Sequence, residues 1–127
     1  MNIEFHDILL KGRVVDISVR NGTIASISPT VRTAQQVILP LPVDPHVHLD
    51  KTFTANRCQP AEPGLFGAIE AMATDALNWT ETDLRNRMEK ALAEAYQNGI
   101  SAMRSHVDWT QEEAPLAWSV LGEVEQD

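Results

Sequence analysis

Two prolines, Pro40 and Pro42, divide this chain into stretches that obey different periods. Proline has no backbone N–H to give a sheet and its ring fixes φ near −65°, so the pair ends one run and starts another. From Ile3 to Leu39 the residues read as short strands. After Pro42, apolar runs of strand length alternate with helical patterns. Such strand-helix alternation calls for a parallel sheet covered by helices, whereas the leading stretch calls for a small sheet built on hairpins.

In the leading stretch, Ile8-Leu9-Leu10 opens the β pattern and Val14 to Val19 ends in apolar-polar alternation. Asn21-Gly22 follows, then Thr23 to Ile27 alternates again. Asn-Gly between two such runs predicts a type I′ hairpin, because both central residues need positive φ. Gln36 to Leu39 reads as a further short strand. Three or four strands in about forty residues do not make a stable domain, so this sheet must pack on something. His6, between Phe5 and Asp7, is read as a surface or sheet-edge residue and not as a ligand.

The stretch Val43-Asp44-Pro45-His46-Val47-His48-Leu49-Asp50 has the look of a buried parallel strand. Side chains alternate with period two, so Asp44, His46, His48 and Asp50 share one face if the strand stays regular. Two neutral imidazoles on one face can share a divalent cation. Equally, one can cap a turn while the other is a satisfied core group; a bare His-x-His is too short to decide. Lys51 follows at once, open to a substrate contact or to solvent. Thr52 to Gly64, with Pro60 and Pro63, is a long loop of the kind used as a lid or binding loop.

A helix is predicted from Leu65 to Asn78, with Leu65, Ile69, Met72 and Ala76 at helical spacing. Thr80-Glu81-Thr82-Asp83 resembles a capping box that starts a second helix. Its apolar stripe of Leu84, Met88, Ala91, Leu92 and Ala95 lies opposite Arg85, Arg87, Glu89 and Glu94, and Asn98-Gly99 ends it with a left-handed cap. Ile100 to Asp108 is the next strand, with Arg104, His106 and Asp108 on one face. That face is either part of a site at a barrel's functional rim or a set of groups pairing with other buried charges. A last helix is predicted from Glu112 to Gln126, with Pro115 in its first turn.

Charge narrows the partners. Lys and Arg number 10 against 18 Asp and Glu, a formal charge of −8. Nucleic acids and anionic membranes both need a basic footprint, so neither is expected as a partner. Cys58 is the single cysteine and reads as an incidental loop thiol. The start of the sequence has no signal-peptide pattern and no run approaches membrane-spanning length, so a soluble cytoplasmic protein is expected.

Taken together, Leu39-Pro40 and Val43 to Phe53 look like the first barrel strand of the amidohydrolase superfamily. Asn98-Gly99-Ile100 with Arg104-Ser105-His106-Val107-Asp108 resembles the second barrel strand of its cytosine-deaminase-like branch, and Leu65 to Glu70 is similar to that branch's first helix after the lid loop. The resemblance implies an α/β fold: residues 1–41 as part of a small β-sandwich domain, and residues 42–127 as the first two strand-helix units of a (β/α)8 TIM-type barrel. It implies that His46 and His48 bind one divalent metal, Zn²⁺ or Fe²⁺. Lys51, Arg104, His106 and Asp108 become candidates for substrate contact or for support of the metal ligands. The expected reaction is deamination of cytosine or a related aminated heterocycle by a metal-activated water.

Two departures qualify that expectation. Leu41-Pro42 stands where many relatives carry a glycine soon after the proline. The family's further metal-binding histidine, late-strand aspartate, glutamate proton shuttle and second active-site histidine have no positions here to map onto. The chain is therefore expected to be the N-terminal segment of a longer enzyme, inactive alone. A completing C-terminal segment belongs to that reading; the rival one is an incompetent fragment or an interaction module, whose open barrel edge is completed by a partner or a second copy.

Overall fold

Asn21 and Gly22 take φ of 51° and 77°, the two left-handed residues that a type I′ turn demands. In this computed structural model, which describes residues 1–125, that turn joins β2 (Arg13–Arg20) to β3 (Thr23–Pro29). A second turn of the same kind, with Lys11 at 48° and Gly12 at 78°, joins β1 (Asn2–Leu10) to β2. Its signal in the sequence is weaker, because a lysine and not an asparagine precedes the glycine. β4 (Gln36–Val37) is shorter than expected and runs parallel to β1, giving a four-stranded sheet of order β3-β2-β1-β4.

β1 bulges between Phe5 and Ile8, where Asp7 takes φ of 57° and its N–H donates to Asp16 Oδ1 at 3.0 Å. One side of the sheet carries a small core of Ile8, Val15 and Ile17, with Phe5, Leu10 and Val19 packed around it. His6 is exposed, its Nδ1 3.5 Å from the Asp16 carboxylate. These strands belong to one structural unit, Met1–Pro40; the residues from Leu41 onward form the other.

In the second unit the order is β5 (Val43–Val47), a 3₁₀ turn (Leu49–Lys51), α1 (Leu65–Ala76), α2 (Glu81–Gln97), β6 (Ala102–Ser105) and α3 (Leu116–Val124). β5 and β6 pair in parallel, with Asp44 opposite Met103 and Val47 opposite Ser105. Three steps on β5 thus match two on β6. The extra residue falls beside Pro45, which has no N–H to offer the ladder, and the strand bulges there. Both strands are shorter than the sequence suggests. β5 stops at Val47 because the next N–H groups turn inward: Lys51 donates to His48 at 3.0 Å and Thr52 to Leu49 at 3.3 Å. Val43 is 58% exposed, so the burial expected of a central parallel strand is not reached within these residues.

Local chemistry explains the helix ends. Thr80 caps α2 by accepting from the Asp83 N–H at 3.2 Å. At the other end Gly99, at φ 80°, lets its own N–H reach Tyr96 and that of Ile100 reach Ala95, a full Schellman closure. α3 begins at Leu116 and not at Glu112, because Pro115 is extended at ψ 148° and stands before the helix. Gln126, the expected end of that helix, lies outside the described residues. The core joins Leu49 after β5, Leu84 and Met88 of α2, and Ala117, Val120 and Val124 of α3. Each large apolar side chain there contributes about 1.5–3 kcal/mol by leaving water.

Candidate metal and active site

His46 lies on β5 and His48 directly after it, and despite the bulge at Pro45 their rings converge, with centres 5.5 Å apart. His106 follows β6 in the same way. Its N–H donates to the Val47 carbonyl at 2.8 Å, which extends the β5–β6 ladder by one bond and brings its ring onto that of His46. The His46 and His106 rings are stacked with centres 4.0 Å apart, and His48 and His106 are 5.9 Å apart. Three imidazoles therefore gather at the C-terminal ends of two parallel strands. Two neutral imidazoles bound to one ion at metal–nitrogen distances of about 2.1 Å place their ring centres about 5 Å apart. The spacing of His46 and His48 fits that demand.

Carboxylates lie behind His48. Its Nδ1 is 3.8 Å from Asp50 Oδ1 and 3.9 Å from Asp108 Oδ1. His48 Nδ1, Asp50 Oδ1 and His106 Nε2 are buried without a hydrogen-bond partner. At these distances the carboxylates act on His48 through charge and not through a hydrogen bond. Lys51 Nζ bonds Asp108 Oδ2, and that bond holds the Asp108 carboxyl below the usual carboxylate range. Asp50 is only 3% exposed, and burial pushes its carboxyl up, against the opposing charges of Lys51 and His48. The described residues contain no group of three or more His, Cys, Asp or Glu side chains arranged to hold a metal ion.

Of the residues singled out in the sequence, His46, His48, Lys51, His106 and Asp108 come together. Arg104 is exposed on β6 and stands outside that network. Arg87 was overlooked. Expected on the solvated face of α2, it is 7% exposed and reaches back to the turn after His48. Its i,i+4 partner Asp83 was the one local clue. The long loop is pinned as well: Arg57 binds Asp75 of α1 at 2.9 Å and Asp83 of α2 at 2.8 Å. Beside the ion pair of Lys51 and Asp108 runs a groove of about 570 Å³, walled by Ile69, Met72, Trp79 and Leu116.

The chain is 31% identical to a pterin deaminase of Rhizobium rhizogenes over 121 aligned residues, which cover 87% of this chain and 28% of that protein. Among solved structures it superimposes on 5-methylcytosine deaminase from Klebsiella pneumoniae, liganded with phosphonocytosine or with 5-fluorocytosine. In both cases the TM-score is 0.77 and the identity 25%, over 99% of this chain and 33% of that one. No protein-family model matches the sequence. The chain thus spans about a third or less of the relatives it matches. In sequence and fold the chain is similar to the N-terminal part of these cytosine-deaminase-like amidohydrolases. Both relatives are deaminases.

Proposed function

We propose that this chain supplies the metal-binding strand pair of a hydrolytic deaminase acting on a small aminated heterocycle. The observation that carries the reading is the convergence of His46 and His48, 5.5 Å apart, in a chain whose relatives are deaminases. In this reading residues 1–41 are part of a small β-sandwich domain, and residues 42–127 are the first two strand-helix units of a TIM-type barrel. His46 and His48 hold one divalent ion, Zn²⁺ or Fe²⁺, with the rest of the barrel providing further ligands. Bound between these residues, such an ion would contribute Lewis-acid activation of water.

The chain's own groups do the rest of the work assigned to it. Asp50 and Asp108 place negative charge 3.8 and 3.9 Å from His48 Nδ1, and Lys51 keeps Asp108 in place. His106 covers one face of His46, limiting its rotation and its access to water. The Lys51 and Asp108 pair also opens on the groove, where a polar edge of a flat heterocycle can meet it.

Cobalt or zinc titration of the purified chain tests the metal half. Binding should be lost in the variant combining His46→Ala and His48→Ala, and binding that survives both changes refutes it. Ammonia release from a panel of aminated pyrimidines, pterins and triazines, by the longest natural form of the enzyme, tests the other half. Silence across that panel refutes deamination.

A second reading has one observation in its favour. Two imidazoles without a third protein ligand among the described residues leave most of a coordination sphere to water. An inert segment, or a module whose open strand edges pair with another chain, would then bind zinc only weakly and lose it to a chelator.

A further inference from the structure

We infer that Arg87 is a positioning residue for this site, locking the turn after His48 onto helix α2; the inference rests on the metal reading above. The turn Leu49–Lys51 is a single 3₁₀ turn, and three residues of that geometry hold themselves weakly. Within and just after the turn, the Leu49 carbonyl accepts from Thr52 and the Lys51 carbonyl from Thr54, while Asp50 is 3% exposed, which leaves the carbonyls of Asp50 and Thr52 to a partner from elsewhere. Arg87 satisfies them from across the unit. One amino group of its guanidinium donates to the carbonyl of Asp50 and, at 3.2 Å, to that of Thr52.

The opposite edge of the guanidinium is itself fixed. Nε and Nη2 donate to Asp83 at 3.1 and 3.0 Å, and the group lies 4.9 Å from the centre of the Trp79 ring. The clamp is also returned. The single proton of Thr52 Oγ1 is shared between the Leu49 carbonyl at 2.7 Å and the Arg87 backbone carbonyl at 3.3 Å. The peptide planes of residues 50 and 52 are therefore tied to α2, one ahead of and one behind Lys51. His48 caps this turn at φ −112° and ψ 87°, so a shift of the turn changes how Asp50, which belongs to it, stands toward the His48 ring. A lysine at position 87 keeps the charge near Asp83 but has no planar fork to serve both edges.

The test compares Arg87→Lys with Arg57→Lys in the full 127-residue chain. Arg57 binds the same Asp83 but makes no bond to the turn, so it controls for the loss of an ion pair. Two readouts are taken: amide exchange at Lys51 and Thr52 without metal, and the Kd for Co²⁺. Arg87→Lys should speed exchange at these amides about tenfold and weaken Co²⁺ binding about tenfold, while Arg57→Lys changes both less than twofold. If Arg87→Lys fails to fold by circular dichroism, Thr52→Val, which removes only the return bonds, takes its place with the same expectation. Unchanged exchange, faster exchange with unchanged affinity, or equal losses in Arg57→Lys would each overturn the inference. Co²⁺ binding that persists without His46 and His48 defeats the metal reading itself. That outcome is told apart because no Arg87 variant enters it.

Discussion

Gly67, on the first turn of α1, sits where a methyl group has no room. A Cβ there would fall 1.9 Å from the backbone oxygen of Glu62, so the helix and the end of the long loop touch only because the side chain is absent. Gly67→Ala is expected to push residues 59–64 off the helix, and faster proteolytic cutting within that segment will report it. Gly99 is a different case. At φ 80° its constraint is backbone conformation, and the nearest neighbour of an added Cβ, a Leu41 methyl, is an ordinary 3.6 Å away. Gly99→Ala should therefore cost about 1–2 kcal/mol in urea unfolding without a structural change. The role of Gly99 was legible in Asn98-Gly99, since a helix cap is local. That of Gly67 was not, because nothing in its neighbourhood announces that a loop folds back onto it.

At the scale of the elements, Asp83 shows how a correct local signal can hide a different use. The Thr80 cap forms as expected, but the Asp83 carboxylate does not close a capping box. It binds Arg57 and Arg87 and so ties the long loop to α2. Hydrogen bonding from Arg57, above all, holds its pKa at about 2. Because the folded value lies below the ordinary carboxylate value, the ionised group stabilises the fold above about pH 4, and that contribution fades as pH falls toward 2. It amounts to at most about 2 kcal/mol, reduced by solvent screening of the half-exposed Arg57. Arg57→Met should flatten the loss of stability between those pH values, as measured by urea midpoints across the acid range. Strand lengths were misjudged for a related reason. Val43 to Leu49 is apolar enough for a longer strand, yet Pro45 and the inward turn at His48 end the pairing at Val47.

For the molecule as a whole, the second unit has one core, and Leu84 lies at its centre between the turn after His48 and α3. Leu84→Ala should cost about 2–5 kcal/mol and lower the unfolding midpoint of this unit, and a wild-type midpoint would contradict that packing. The two-stranded sheet pairs only β5 with β6 among the described residues, so each strand offers an unpaired edge. Exposed edges of this kind invite a further strand. Light scattering at rising concentration should show self-association of the isolated chain, and a strict monomer throughout would count against it.

Local chemistry was legible in the order of the residues alone. Asn21-Gly22, Thr80 and Asn98-Gly99 each act within a few residues of themselves, and the parity of His46 and His48 follows from the strand period. The likeness of both strand motifs to deaminases was readable for the same reason, since each motif is contiguous. What stands around the two histidines came from packing between distant elements. His106 reaches them through a ladder bond between strands far apart in the chain, and Asp50 is buried because a 3₁₀ turn replaces the expected strand. Arg87 joins from a helix whose pattern placed it in solvent. Those placements depend on how separate elements pack, and no local period records that.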